Sequence, residues 1–505
     1  MQTQHLPRHR QAGFSLVEIM VTIFIFGVVT AGLLVIFDNS SRLARSQTQL
    51  ANIQQGQRVG HSEIVRYLRM AGVGGLPISS LQVDDDDRTN RTYGPGYFPE
   101  GFAISIYNNI EEGTTIRQVF DDSDTTVDDI VMPGSDVLVV RGIFTTPVYY
   151  FDPPITLSDS DLNADETELT ALLQIPGVMR LTGQEDEDRL QDLDPMVEML
   201  KAAYGRSDTD MKPEALLIRD VLNPNAYAVV GFDHDAGSLT AATDLDPEEC
   251  NVTKPDGYTL RAECVEVPVA LSTTSTGGDI GYVGLTNGTT LATGSGGVTL
   301  ENAAGTEVAE VPTRIGSVGL LEEYRFFVRV EQVWDGLSNE QRIAPVLTRA
   351  RYMPGSNVEL ERVDIADNVI DLQLAVGVET DSFGDLGYGT ITDNGNGTDE
   401  VLFNSSADLN VGGSPPYVDP PTGTVPGGHL VWYNEDLEYH FIRINTIVQA
   451  DRRSDRGYQS PLLTAIEDYN RGNYSLGDRG TFNDLDARRF RRRWLQTTVE
   501  LRNLN

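Results

Sequence analysis

The strongest chemical signal in this sequence is an acid inside an apolar run. Glu18 lies one helical turn into FSLVEIMVTIFIFGVVTAGLLVIF, residues 14–37. An ionised carboxylate costs ~2.5–3.5 kcal/mol at the centre of a lipid-spanning helix and less near the interface. It must be protonated, snorkel to the headgroups, or pair with a cation from another chain. Just ahead, MQTQHLPRHRQAG (1–13) holds Arg8 and Arg10 and no acid, which assigns this flank to the cytoplasmic side.

Other reactive residue types are sparse or poorly arranged. The six histidines, His5, His9, His61, His234, His429 and His440, form no H-E-x-x-H pattern, and G-x-S-x-G, P-loop and Cys-x-x-Cys motifs do not occur. Neither enzymatic activity nor a small-molecule substrate is expected. Cys250 and Cys264 are the only cysteines, and in an exported body a disulfide between them closes a short loop, contributing about 3 kcal/mol. Asp84–Asp87, the acids at 121–129 and the loop 393–400 offer hard oxygen ligands suited to calcium, but none has EF-hand spacing; solvated acidic turns are the plainer reading, and no cofactor is expected. The run ARRFRRRW (487–494) is the one dense basic patch. DNA contact is one reading; arginines alternating along an edge strand and meeting acids is the preferred one.

The elements that position these residues follow from periodicity. At ~1.5 Å per residue, 24 residues span ~36 Å, enough to cross a ~30 Å hydrocarbon core once. The run is longer than a secretory signal's apolar region and lacks a convincing A-x-A after it. No proline occurs between Pro7 and Pro77, so the helix continues beyond the bilayer to the glycines of 71–77, ~87 Å in all. Leu43, Leu50, Ile53, Ile64 and Leu68 form its expected apolar stripe, with Arg42, Arg45, Gln49, Arg58 and Arg66 on other faces. Beyond residue 77, β-branched and aromatic runs predict strands at 137–140, 146–151, 215–220, 226–232, 323–334, 370–378, 429–433 and 439–450, and 193–203 reads as a short helix. Gly/Thr/Ser-rich 271–306 and Gly/Pro-rich 380–428 read as loop insertions. With 505 residues, 40% hydrophobic, the chain can bury a sizeable core, while its net charge of -37 argues against wrapping nucleic acid.

The segment R-Q-A-G-F-S-L-V-E resembles the prepilin leader motif. The resemblance implies that prepilin peptidase cuts between Gly13 and Phe14 and methylates the new amino terminus at Phe14. Glu18 then becomes the fifth mature residue, placed to pair with the Phe14 ammonium of a neighbouring subunit. In the body, EIVRYLRMAGVGG (63–75), GSDVLVVRG (134–142), ALLIRDV with AYAVV, ADNVIDLQLAVGVETD (366–381) and TTVELRNLN (497–505) resemble the PilW family of minor pilins, although this chain is longer than most of that family. The implied fold is α+β. It has a leader at 1–13, a membrane-spanning stem at 14–37, an amphipathic periplasmic stem at 38–72 and a β-rich pilin body at 73–505 carrying the two insertions. The implied function is a minor type IV pilin that initiates or caps pilus assembly, with other minor and major pilins and the inner membrane as partners. It passes from the inner membrane, amino terminus in the cytoplasm and body in the periplasm, to the surface pilus. A J-type pseudopilin of type II secretion and a pilus-displayed adhesin are the alternatives.

Overall fold

The computed structural model describes the chain from Ser15 to Leu76 and, in the body, the elements named below with several of their turns. Residues 1–14, 77–102, 121–129, 157–161, 181–196, 202–215, 233–247, 273–289, 380–400, 404–429, 464–480 and 502–505, with shorter connectors, lie outside the described residues. Helix α1 (Leu16–Met70) runs unbroken for 55 residues, ~83 Å at the usual rise. Its end is set by glycine: Gly72 has φ 74° and Gly74 φ 101°, and the Gly72 amide donates to the Arg141 carbonyl, passing the chain straight onto a body strand.

The body is built from twenty-one strands and a short helix, among the described residues. In chain order these are β1 (Ile104–Asn108), α2 (Ile116–Phe120), β2 (Val137–Gly142), β3 (Tyr149–Thr156), β4 (Leu162–Ala164), β5 (Glu168–Arg180), β6 (Leu216–Asp220) and β7 (Tyr227–Phe232). Then follow β8 (Glu248–Thr253), β9 (Thr259–Ser272), β10 (Thr290–Gly294), β11 (Gly297–Glu301), β12 (Glu307–Glu310), β13 (Arg314–Leu320) and β14 (Glu322–Asp335). Last come β15 (Glu340–Tyr352), β16 (Glu359–Asp367), β17 (Val369–Glu379), β18 (Val401–Phe403), β19 (Leu430–Val431), β20 (Tyr439–Arg453) and β21 (Phe490–Glu500). One sheet has the order β16-β15-β14-β2-β1-β19 and another β18-β17-β20-β21. A third follows β3-β13-β6-β7-β9-β5-β4, with β8 also paired to β9.

Each of the eight expected runs holds a strand, with boundaries shifted: 146–151 pairs only from Tyr149 onward, and the other strands were not anticipated. Helical residues at 197–198 and 200–201 fall in the expected short helix. The stretch read as loop at 271–306 holds β10 and β11, which form a sheet with β12 just beyond it, because its threonines and valines suit a pleated surface even among glycines. The first two sheets meet at Asn368, whose φ of 60° turns β16 into β17 within one residue, a conformation asparagine tolerates.

Only the last third of α1 is covered by the body. Ile53, Ile64, Tyr67 and Leu68 are buried, whereas Leu43 and Leu50, expected on the same stripe, are exposed because the sheets reach the helix only from Ile53 onward. Two glycines one turn apart permit this seating. A Cβ on Gly60 would lie 2.7 Å from Leu347 Cδ2 and 3.4 Å from Ala366 Cβ, while one on Gly56 meets only Ala366 Cβ at 4.0 Å. Since glycine costs about 1 kcal/mol against alanine inside a helix, Gly56→Ala is expected to stabilise the protein by about that much. Gly60→Leu is expected to lose about 1–3 kcal/mol by overpacking. Chemical denaturation of the two variants checks the opposed signs.

Candidate functional site

Ser15 sits in extended backbone ahead of α1 and caps it. Its Oγ accepts from the Val17 amide at 3.3 Å, and its own amide donates to Glu18 Oε2 at 2.8 Å, completing a capping box. This arrangement went unnoticed in the sequence, although S-x-x-E before an apolar run is its usual signature. It gives Glu18 a local task besides any intersubunit one. A carboxylate offers about four acceptor positions, so one bond to Ser15 leaves room for an incoming ammonium. Thr22 adds no unsatisfied group, because its hydroxyl donates to the Glu18 carbonyl at 2.7 Å.

Below this cap the helix is apolar on every side. Large hydrophobic residues from Leu16 to Phe37 are exposed around its whole circumference, Phe24 and Phe37 each to 73%. Each such side chain gains about 1.5–3 kcal/mol on leaving water, so this segment is stable only in lipid or among other helices. Gly27 and Gly32 have open space where a Cβ would stand, which lets another helix approach closely there. Gly13 and Phe14, the expected cleavage and methylation positions, lie outside the described residues.

At its other end the stem is locked by aromatic and charged groups. The Tyr67 ring lies 4.5 Å from Tyr324, 5.3 Å from Phe144 and 5.5 Å from Phe326. Arg349 pairs with Glu63 and donates to the Tyr67 hydroxyl at 3.0 Å. Behind them lies a buried charge cluster. Arg141 Nε donates to Glu323 Oε2 at 2.7 Å and Arg325 Nε to Oε1 at 2.6 Å. Burial alone would raise the Glu323 carboxyl, but Arg141 and Arg325 outweigh it and hold the group below its ordinary value. Glu322, also buried, accepts from the Phe144 and Thr145 amides at 3.0 and 2.7 Å. Burial and the Arg325 guanidinium, 3.9 Å above its ring, act on Tyr352 in opposite senses; burial wins and its hydroxyl is pushed up to about 12.

The remaining sequence-derived candidates are scattered. Cys250 and Cys264 stand on the β8–β9 pair, opposite Ala262 and Glu248 respectively, two residues out of register. The acidic stretches at 84–87, 121–129 and 393–400 lie outside the described residues, and no group of three metal-ligating side chains occurs among the described ones. Of the basic run, 490–494 lie on an edge strand, β21, as expected, while Ala487–Arg489 form a 3-10 turn ahead of it, and carbonyls and rings take up much of the charge. Arg492 donates to the Phe482 and Ala487 carbonyls at 2.7 and 3.0 Å, Arg488 to the Ser460 carbonyl at 2.9 Å, and Arg491 stacks on Tyr458. Burial, then the neighbouring Arg488, pull Arg492 down to about 10, which leaves it charged at neutral pH. Arg489 does meet an acid, Asp486, at 3.3 Å.

Residues 8–34 match the family model described as the prokaryotic N-terminal methylation motif. No curated protein and no solved structure compared with the chain matches it. The matched segment contains Gly13, Phe14, the Ser15 cap and Glu18 and runs most of the way along the exposed apolar helix. It implies processing by prepilin peptidase and association with other pilins. Together with the long apolar helix and the antiparallel strand-rich body, the motif supports a membrane-anchored, structural protein of the type IV pilin-like or pseudopilin kind.

Proposed function

We propose that this chain is a PilW-like minor pilin, cut after Gly13, methylated at Phe14 and incorporated with other pilins to start or cap a pilus. The observation that carries the reading is the stem: a capped helix, apolar all round to Phe37, with one acid near its start inside the matched motif. In a bundle of such helices the Phe14 ammonium of one subunit neutralises Glu18 of the next, which fixes axial register. No proline kinks the helix, and the body motifs resembling PilW, at 134–142 and 366–381, fall on β2 and on β16–β17 beside the stem. Export of the body also brings Cys250 and Cys264 into an oxidising compartment, where the disulfide belongs to the same reading.

The test is the amino terminus of the protein recovered from sheared filaments. Mass spectrometry is expected to find a chain that begins at N-methylated Phe14. A filament subunit that retains residues 1–13, or that begins beyond residue 37, overturns the reading. Deletion separates the pilin from the pseudopilin alternative: loss of pili identifies the former, loss of protein secretion with pili intact the latter.

A further inference from the structure

The stem bears a basic face that the described residues of its own body leave open. From residue 38 to 72 it carries five arginines against Asp38 and Glu63, in a chain of 75 acids and 38 bases. Both acids are engaged, Asp38 with Arg42 at 2.8 Å and Glu63 with Arg349 and Arg66. Arg58 and Arg69 are exposed and have no ion-pair partner among the described residues. With Arg66 they stand at helical positions i, i+8 and i+11, on one face. Between this face and β21 lies a groove of ≈620 Å³, floored by Val65 and Leu495 and lined by Arg58, His61, Arg66 and Arg69. No acid lines it.

His61 forms part of the wall behind these arginines. It is only 5% exposed, its Nδ1 lies 3.4 Å from Thr446 Oγ1, and its Nε2 has no hydrogen-bond partner. That nitrogen is sealed from solvent and is not offered to the groove, so the groove's chemistry rests on its arginines.

We propose that this groove binds an extended, carboxylate-rich peptide segment of a neighbouring subunit, its acids set against Arg58, Arg66 and Arg69 and its apolar side chains on Val65 and Leu495. The source of the segment rests on the filament reading above; the chemistry of the groove does not. Arg58 and Arg69 are ~17 Å apart along the helix, the length of about five extended residues. Lipid headgroups are out of reach. Arg58 lies 21 residues past Phe37, so ~31 Å beyond the apolar segment, several times the ~8 Å screening length at physiological salt. The net charge of -37 opposes a long polyanion such as DNA more than it opposes a short segment.

Full-length protein in neutral detergent micelles is titrated into a fluorescein-labelled peptide of sequence FDDSDTTVDD, taken from residues 120–129, and into its counterpart with every Asp changed to Asn. The acidic peptide is expected to bind about tenfold or more tightly than the amide, and to lose about tenfold in Arg58→Gln/Arg66→Gln/Arg69→Gln. Single Arg58→Gln and Arg69→Gln, at exposed positions, repeat the test should the triple variant fold poorly. Equal binding of both peptides, or binding unchanged in these variants, overturns the proposal. So does duplex DNA that binds more tightly than the peptide and is lost in the same variants. The assay needs neither Glu18 nor a filament, so its failure and that of the assembly reading are distinguishable.

Discussion

Glu18→Ala is expected to leave membrane insertion and cleavage after Gly13 intact and to lower incorporation into filaments by about tenfold or more. Removing the carboxylate lifts a burial cost of ~2.5–3.5 kcal/mol from the isolated helix, so the monomer enters lipid at least as well. What is lost is attraction to the ammonium of an adjoining Phe14. At 4 Å and an effective dielectric constant of 20, that attraction is worth about 4 kcal/mol before desolvation is subtracted, so a net loss of about 1.4 kcal/mol or more is a conservative expectation. The capping box complicates the alanine variant, because the bond from the Ser15 amide goes with the side chain. Glu18→Gln separates the two roles, since its amide oxygen still accepts from Ser15 but carries no charge. Quantitative immunoblotting of sheared filaments is expected to find both variants depleted. Glutamine at the wild-type level would falsify the charge pairing and leave Glu18 as a helix cap.

Glu323→Ala is expected to destabilise the body by about 3–5 kcal/mol, a large part of the 5–15 kcal/mol typical of a whole domain. Glu323 is fully buried between Arg141 and Arg325, and its removal takes the carboxylate from two guanidiniums that stay buried. Thermal unfolding followed by circular dichroism reads the loss. Acid adds an independent measurement. Because the folded-state value of Glu323 lies below the ordinary 4.5, its stabilisation is complete above 4.5 and is lost as pH falls through the folded value. The difference in stability between wild type and Glu323→Gln is therefore expected to be constant at neutral pH and to shrink below 4.5. A difference that persists unchanged into strong acid would show that the cluster is not held by charge.

The motif and the stem were legible because their physics is local. Gly13, Phe14 and Glu18 fall within six residues of one another, the apolar run declares its own length, and the absence of proline between Pro7 and Pro77 forecasts one long helix. The main strands were legible for the same reason: Val137–Val140 and Tyr324–Val330 alternate or bury on both faces and declare a pleat within a few residues. Leu43 misled because a helical stripe shows which face is apolar, not how far along the helix a partner extends. By propensity Gly56 and Gly60 only weaken a helix; Gly60 proves to be where Leu347 and Ala366 close upon the stem.

Sequence by itself determined the anchor: an apolar helix with a single acid near its start, since hydrophobicity, helical rise and charge act between residues a few positions apart. Tertiary structure alone decided what that helix carries and presents. Glu323 finds Arg141 from 182 positions away, Gln57 reaches the Thr446 and Arg493 carbonyls, and the open groove exists only because β21 comes to lie beside the stem. Such pairings depend on chain closure over hundreds of residues, and no local periodicity records which distant strand arrives.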